Sequence, residues 1–547
     1  MNVTRFQPKL FEALHGYDRQ RFTSDLGAGL TVAAVALPLA MAFAIASGVQ
    51  PAVGIYTAIV AGFLISLLGG SRVQIGGPAG AFIVVVYGIV SQYGLLNLLL
   101  ATAISGLVLF AMGWFRLGTL IRFIPVAVVV GFTNGIAVLI AVSQIKELLG
   151  LSVAMPADLV GIVKVVSHHA SEWNPNATVM VLSLLALLLL WQRHQLGLGQ
   201  YLRANAPKLA WISQIPGSIG VLLVGTAWAH WGQWPVETIG TRFGGIPSSL
   251  PEFAVPNWSL TNLRDLWMPV MTLSVLGAIE SLLCARVGDN LTGWRHDPNQ
   301  ELMAQGVANL VVPFCGGMPA TGTIARTVTN IKNGATSPVA GITHALVLLL
   351  VLWVAAPMAN AIPLAALSAI LLHVAWNMGE WRKFAELRQF RMPYRITLVA
   401  VFLLTVLVDL TVAVQVGLAA ACLTFIYRIS SLTRIEAVSD DARTQVHALN
   451  GALFFAAVQL LEDLSNALPS EALVLDFTHV IYLDSSGMDA LMHLSTDCHV
   501  QGVRLFLVGL QGQPLDILRR TEQLHGLHAN TEMPDVPSAL KALALQG

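Results

Sequence analysis

The chain has 547 residues, 55% hydrophobic and only 11% charged, and its mean hydropathy is +0.69. That is too apolar for a soluble protein of this length and fits a polytopic membrane protein. The 30 Lys and Arg residues balance the 30 Asp and Glu, and the polar C-terminal stretch 437–547 is acidic, so no nucleic-acid footprint appears.

The neutral total hides two parts of opposite sign. Residues 1–436 carry 25 basic and 17 acidic residues, or +8, whereas residues 437–547 carry 5 and 13, or −8. The expected organisation is a cytoplasmic N-terminal segment over 1–24, an all-α transmembrane domain over 25–435 and a small cytoplasmic α/β domain over 436–547. The polar N-terminus lacks a signal-peptide cleavage pattern, so the first span is expected to stay as an anchor.

Crossing a bilayer takes about 20 apolar residues. Candidate spans lie near 28–46, 52–70, 95–115, 122–145, 176–191, 212–232, 267–285, 299–315, 337–355, 358–376, 395–410 and 412–430. Shorter apolar runs near 78–92 and 319–331 bring the total to about fourteen, arranged as seven plus seven. Basic residues cluster in alternate loops, from Arg5, Lys9, Arg19 and Arg21 to Arg428 and Arg434. By the positive-inside rule both termini are expected in the cytoplasm, with the chain in the inner (plasma) membrane among its lipids. The loops near 146–175 and 231–266 then fall outside.

The two short runs each follow a Gly/Pro motif, Gly76 to Gly80 (GGPAG) and Gly316 to Gly322 (GGMPATG). A Gly/Pro pair alone is an ordinary helix kink. Two copies at corresponding places in the two halves point to a substrate site, because each half-helix begins at the bilayer midplane with unpaired N–H groups. Such ends prefer anions. Gly77, Pro78, Ala79, Gly80 and Ala81 of one copy, and Thr321, Gly322, Thr323 and Ala325 of the other, are the expected wall, with Arg326 as a fixed positive charge behind. No Walker-type phosphate loop is present, so ATP is not expected to drive transport, and nothing points to an enzyme.

Glu280 is an acidic residue well inside a predicted span. A carboxylate there must be paired, hydrated or protonated. It either forms an ion pair with Arg326 or Arg286, or carries the coupling ion that lets an anion enter against an inside-negative potential. A proton is favoured over Na⁺, which needs several converging oxygens. Asp297 and Pro298 read as a helix start, Asp409 as a cap, and His373 as a buried polar group bonded to backbone or part of a proton path. The cysteines Cys284, Cys315, Cys422 and Cys498 show neither disulfide-framework nor zinc spacing, and no metal or cofactor is expected.

After Arg434 the pattern becomes soluble α/β. Residues 451–456, 472–477 and 504–508 read as strands, and 458–468 and 513–524 as amphipathic helices. Asp484, Ser485 and Ser486 stand at a strand-to-helix junction, where they cap the helix; the same place suits protein docking or phosphorylation.

The run Leu37 to Pro51 (LPLAMAFAIASGVQP), Gly54 to Tyr56, Glu280 to Asp289 (ESLLCARVGD) and Pro319 to Thr327 (PATGTIART) together resemble the SulP family of anion transporters, relatives of pendrin and prestin. The tail resembles the STAS domain through Asp484 to Gly487 (DSSG). The resemblance implies a seven-plus-seven inverted repeat divided into core and gate, elevator-like movement of the core, homodimerisation and a site faced by Phe43 of the first span. Leu39 stands where many members carry Gln. Among bacterial branches the sequence is similar to the one that includes C4-dicarboxylate carriers. The expected substrate is therefore a small inorganic or dicarboxylate anion. Competing readings are a nucleobase carrier, disfavoured by Arg326 and the tail, and a membrane-tethered STAS signalling protein, which would need no midplane site.

Overall fold

The computed structural model describes residues 6–544 except 120–124, 154, 157–158, 206–215, 250–252, 254–263, 409–411, 414–415, 418, 421, 425–432, 442, 455–457, 521–526, 528 and 531–532. It comprises two compact units, Met1–Leu418 and Ala419–Gly547.

In the first unit thirteen helices stand at the expected spans. They are α1 (Arg19–Ala46), α2 (Pro51–Leu68), α3 (Ile83–Tyr93), α4 (Leu95–Trp114), α5 (Val126–Ser143), α6 (Pro175–Asn205), α7 (Gly217–Gly232), α8 (Trp267–Thr292), α9 (Pro298–Val311), α10 (Ile324–Lys332), α11 (Val339–Ala359), α12 (Leu364–Met378) and α13 (Met392–Leu407). Two-residue strands β1 (Gly76–Gly77) and β2 (Thr321–Gly322) precede α3 and α10. The fourteenth expected span, 412–430, lies partly outside the described residues, and its described positions through 424 are helical. Among the described residues seven helices are long and apolar enough to cross a membrane on their own, so the chain is a multi-pass membrane protein.

The helix ends follow local chemistry. Asp18 caps α1 by accepting from the Arg21 N–H, so this helix starts earlier than its apolar run at 28. Asp297 caps α9 by accepting from the Asn299 and Gln300 N–H groups at 2.9 and 3.1 Å, with Pro298 in the first turn. Two expected loops are partly helical: Leu159–His168 lies in one and Ile239–Phe243, started by a Thr238–Thr241 capping box, in the other.

Packing sorts the thirteen helices into two bundles. α1–α4 pack with α8–α11, whereas α5, α6, α7, α12 and α13 pack with one another. Shifting one partner forward by seven helices and the other back by seven maps the pair α4–α9 onto α11–α2, and α5–α13 onto α12–α6. All four pairs pack closely, which is the internal signature of a seven-plus-seven repeat. Within the first bundle α4 and α9 cross at Gly106 and Gly306. A methyl group on either glycine would come within 2.7 Å of the other's carbonyl oxygen, so the backbones touch as small residues allow in membrane helices.

The second unit holds a five-stranded sheet of β3 (Arg434–Asp440), β4 (Thr444–Leu453), β5 (Ala472–Leu483), β6 (Arg504–Val508) and β7 (Ala529–Asn530), in that spatial order. β3 and β4 are antiparallel and the remaining neighbours parallel. β3 was not expected, and β4 starts before the strand read at 451–456 because its first half alternates polar and apolar residues. The period of two sends Leu473 and Leu475 to one face, packed with Leu461, Leu491 and Leu518 of the helices α14 (Val458–Ser465), α15 (Ser485–Val500) and α16 (Gly512–Arg520). Val474 and Phe506 point to the other face, covered by Ala539 and Leu543 of α17 (Val536–Ala544). α14 ends at Ser465, short of the expected Leu468.

Candidate functional site

The two Gly/Pro motifs meet. β1 and β2 pair antiparallel, with Gly76 opposite Gly322 and Gly77 opposite Thr321. Side chains of α10 stitch the chain leading into β1: the Ile75 N–H donates to Thr327 Oγ1 at 3.0 Å, and Asn330 Nδ2 donates to the Val73 carbonyl at 2.9 Å. The Ile75 carbonyl accepts from both the N–H and the hydroxyl of Thr323, at 2.9 and 3.0 Å. On the other strand Asn309 holds the Ala320 peptide by both its N–H and its carbonyl, each at 2.8 Å. Thr321 Oγ1 donates to the Gly277 carbonyl of α8 at 3.0 Å. These bonds fix the crossing of the two strands.

Two helix starts open from this crossing. A single 3₁₀ turn, Gly80–Phe82, leads into α3, and α10 begins after Thr323. Neither Ala79 nor Thr323 caps its helix with a side chain, because alanine has no acceptor and the threonine hydroxyl is turned to Ile75. The leading N–H groups thus keep their partial positive charge, which is how helix ends hold anions. Pro78, Ala79, Gly80 and Ala81 are all buried. A methyl group on Gly80 would meet Phe43 of α1 at 3.7 Å, Ile140 of α5 at 3.5 Å and Met378 of α12 at 3.4 Å. The start of α3 therefore faces the seam between the two bundles. On α10, Ile324 and Ala325 are exposed, while Arg326 and Thr327 turn inward.

Arg326 is 1% exposed, and none of its three guanidinium nitrogens has a hydrogen-bond partner among the described residues. It lies directly behind β1. Gly77 has a φ of +152°, and a methyl group there would fall 2.4 Å from Arg326 Nη1, so both conformation and space demand glycine.

Glu280 sits one turn beyond Gly277 on α8. Neither the Arg326 nor the Arg286 ion pair forms among the described residues, and Glu280 Oε2 is buried without a partner. Its neighbours Ile279, Leu282, Leu283 and Arg286 line a cavity of about 290 Å³ together with Val126, Val129 and Glu380. His373 bonds through Nε2 to the Asn377 amide at 2.8 Å, not to backbone. Asp409 lies outside the described residues.

Sequence reading missed several buried polar groups. Glu301 of α9 is fully buried and accepts from the Gly70 N–H and from Gln305 Nε2, both at 2.9 Å. Asp25 of α1, also fully buried, accepts from the Tyr17 hydroxyl at 2.7 Å and from the Ser337 hydroxyl at 2.5 Å. Gln74 and His344 are buried near the crossing, and nothing in their apolar runs marks them. In the second unit Asp484 caps α15 by accepting from the Gly487 N–H at 2.8 Å; Ser485 is exposed and Ser486 half-buried.

The model of the Sulfate permease family matches residues 22–401, and that of the STAS domain residues 438–532. YvdB of Bacillus subtilis, named for sulfate transport, is 40% identical over 524 residues, covering 93% of this chain and 96% of its own. The bicarbonate transporter BicA of Picosynechococcus is 28% identical over 91% of this chain and 90% of its own. Among solved structures, murine solute carrier 26 family member A9 superposes with a TM-score of 0.84 at 19% identity, over 99% of this chain and 94% of that one. That likeness concerns the fold, and the other two reach the sequence itself. The chain belongs to the sulfate permease family, its membrane domain followed by a STAS domain.

Proposed function

We propose that the protein is a secondary active transporter of small anions, and that the anion is held between the starts of α3 and α10. The observation that carries this reading is the meeting of two uncapped helix starts in front of a buried, unpaired arginine. Gly77, Pro78, Ala79, Gly80 and Ala81 line one end, Thr321, Gly322, Thr323 and Ala325 the other, and Phe43 closes the side toward the second bundle. Helix dipoles supply partial positive charge, and Arg326 adds a full charge in a low-dielectric setting where it is felt strongly.

The names of the relatives favour sulfate or bicarbonate, with a C4-dicarboxylate as the further candidate. The bundle of α1–α4 and α8–α11 carries the site and moves past the other bundle. Glu280 couples this movement to a proton: it is unpaired and lies on α8, the helix that anchors Thr321. Sodium coupling and anion exchange are the rivals. The protein resides in the inner membrane as a homodimer with both termini in the cytoplasm, and Asp484, Ser485 and Ser486 offer a docking edge on the STAS domain.

The test is uptake of labelled sulfate, bicarbonate and succinate into proteoliposomes under an imposed proton gradient, an imposed Na⁺ gradient, or neither. Accumulation of one of them driven by protons supports the reading. Failure to carry any of them contradicts it.

A further inference from the structure

Arg326 is not alone behind the crossing. His344 of α11 is fully buried, and neither ring nitrogen has a partner among the described residues. The same holds for both amide atoms of Gln74, for Ser66 Oγ and for Asn330 Oδ1. These orphaned atoms lie around the crossing of β1 and β2. A methyl group on Gly62 would lie 3.2 Å from the Gly76 carbonyl and 3.7 Å from His344 Nε2, and one on Gly77 would lie 2.4 Å from Arg326 Nη1. One on Gly322 would overlap Gln74 Nε2, and one on Gly341, a turn before His344, would meet Ser66 Oγ at 2.1 Å.

Buried polar atoms are costly unless bonded, and those without protein partners are commonly served by ordered water with two to four partners. A guanidinium with five donors has the greatest need. Gln74 and the neutral imidazole of His344 each supply an acceptor and a donor, so water between them and Arg326 would satisfy all three.

We infer that His344 and Gln74 are positioning residues, which hold the Arg326 guanidinium through ordered water in a polar chamber behind β1 and β2 and so set the affinity for the anion in front. This rests on the reading of Arg326 as the fixed charge of the site. Neither residue touches the anion. They act by fixing where the charge stands.

The experiment measures KM and kcat separately in proteoliposomes, for whichever of sulfate, bicarbonate and succinate the wild type takes up fastest. His344→Leu removes the hydrogen bonds at similar volume, and His344→Gln restores a donor and an acceptor. Gln74→Met makes the same removal from the other wall. Leaving a buried charged donor poorly bonded is expected to raise KM about tenfold in His344→Leu and in Gln74→Met, with kcat changed less than about twofold. His344→Gln should return KM to within about threefold of wild type. In an Arg326→Lys background, His344→Leu should add little, because groups acting through one another are not additive.

Unchanged KM in both His344→Leu and Gln74→Met overturns the inference. So does a full tenfold effect of His344→Leu in the Arg326→Lys background, or a His344→Gln variant as impaired as His344→Leu. If His344→Leu does not reach the membrane folded, Gln74→Met and His344→Gln decide. Arg326→Ala separates the two layers: no change in that variant removes the reading of the site, whereas a change there with none at His344 and Gln74 removes only this inference.

Discussion

Gly77 and Arg326 are in such close contact that a single methyl group on the glycine would stand 2.4 Å from the guanidinium Nη1. The glycine also has a φ of +152°, which side-chain-bearing residues adopt at a cost of about 1–3 kcal/mol. Gly77→Ala is therefore expected to move Arg326 and to distort the β1–β2 pairing. Uptake should fall at least tenfold, with a lower melting temperature in detergent. Wild-type uptake by Gly77→Ala would show that the position of Arg326 does not matter.

A second glycine contact bears on folding alone. Gly106 and Gly306 let α4 and α9 touch backbone to backbone, and this is a principal contact within the bundle that carries the candidate site. Gly306→Leu should force the helices apart, and overpacking of this kind costs about 1–3 kcal/mol or more. The variant is expected to give little monodisperse protein on size-exclusion chromatography in detergent. The same substitution at Gly88, where an added Cβ meets nothing within 4 Å, should be far milder.

Long apolar segments were legible because the bilayer leaves a helix little alternative, and the duplicated Gly/Pro motif pointed to helix starts near Pro78 and Pro319, of which the second begins only at Ile324, after β2. What could not be read was pairing. The motifs place Arg326 behind the wall of the site, but only the pairing of Gly76 with Gly322 brings it against Gly77. Glu280 was expected either to pair or to titrate, and the chain alone could not say that no basic residue bonds it among the described residues. Glu301 and Asp25 sit at helix ends, where a carboxylate reads as ordinary capping or surface. Their full burial depends on α2 and α11, helices distant in sequence. In the second unit, the edge strand β3 was masked by its polar, mixed composition.

The coupling role is tested by Glu280→Gln. Glutamine keeps the volume and mimics the protonated acid but cannot release a proton. Accumulation driven by an inward proton gradient should disappear, while equilibrative exchange of the same anion survives. Uphill uptake on protons by the variant would reduce the carboxylate to a structural group, and a wild type that follows Na⁺ instead would recast it as a sodium ligand.

Removing residues 440–547 takes away most of the second compact unit, which spans Ala419–Gly547. The truncated protein is expected to transport more slowly or to be less abundant while carrying the same anions in the same order of preference. A changed order, measured by competition against labelled sulfate, would mean that selectivity is not set in the membrane bundles.

The central claim is that a fixed charge behind two helix starts holds the anion, and Arg326→Ala tests it most directly. In proteoliposomes containing equal amounts of folded protein, concentration-dependent uptake of sulfate and bicarbonate should be abolished or shift to a KM at least tenfold higher. A hydrogen bond or ion contact to a charged group contributes about 1.5–3 kcal/mol, which corresponds to that range or more. Uptake with an unchanged KM would contradict the account and leave Arg326 as a buried structural cation.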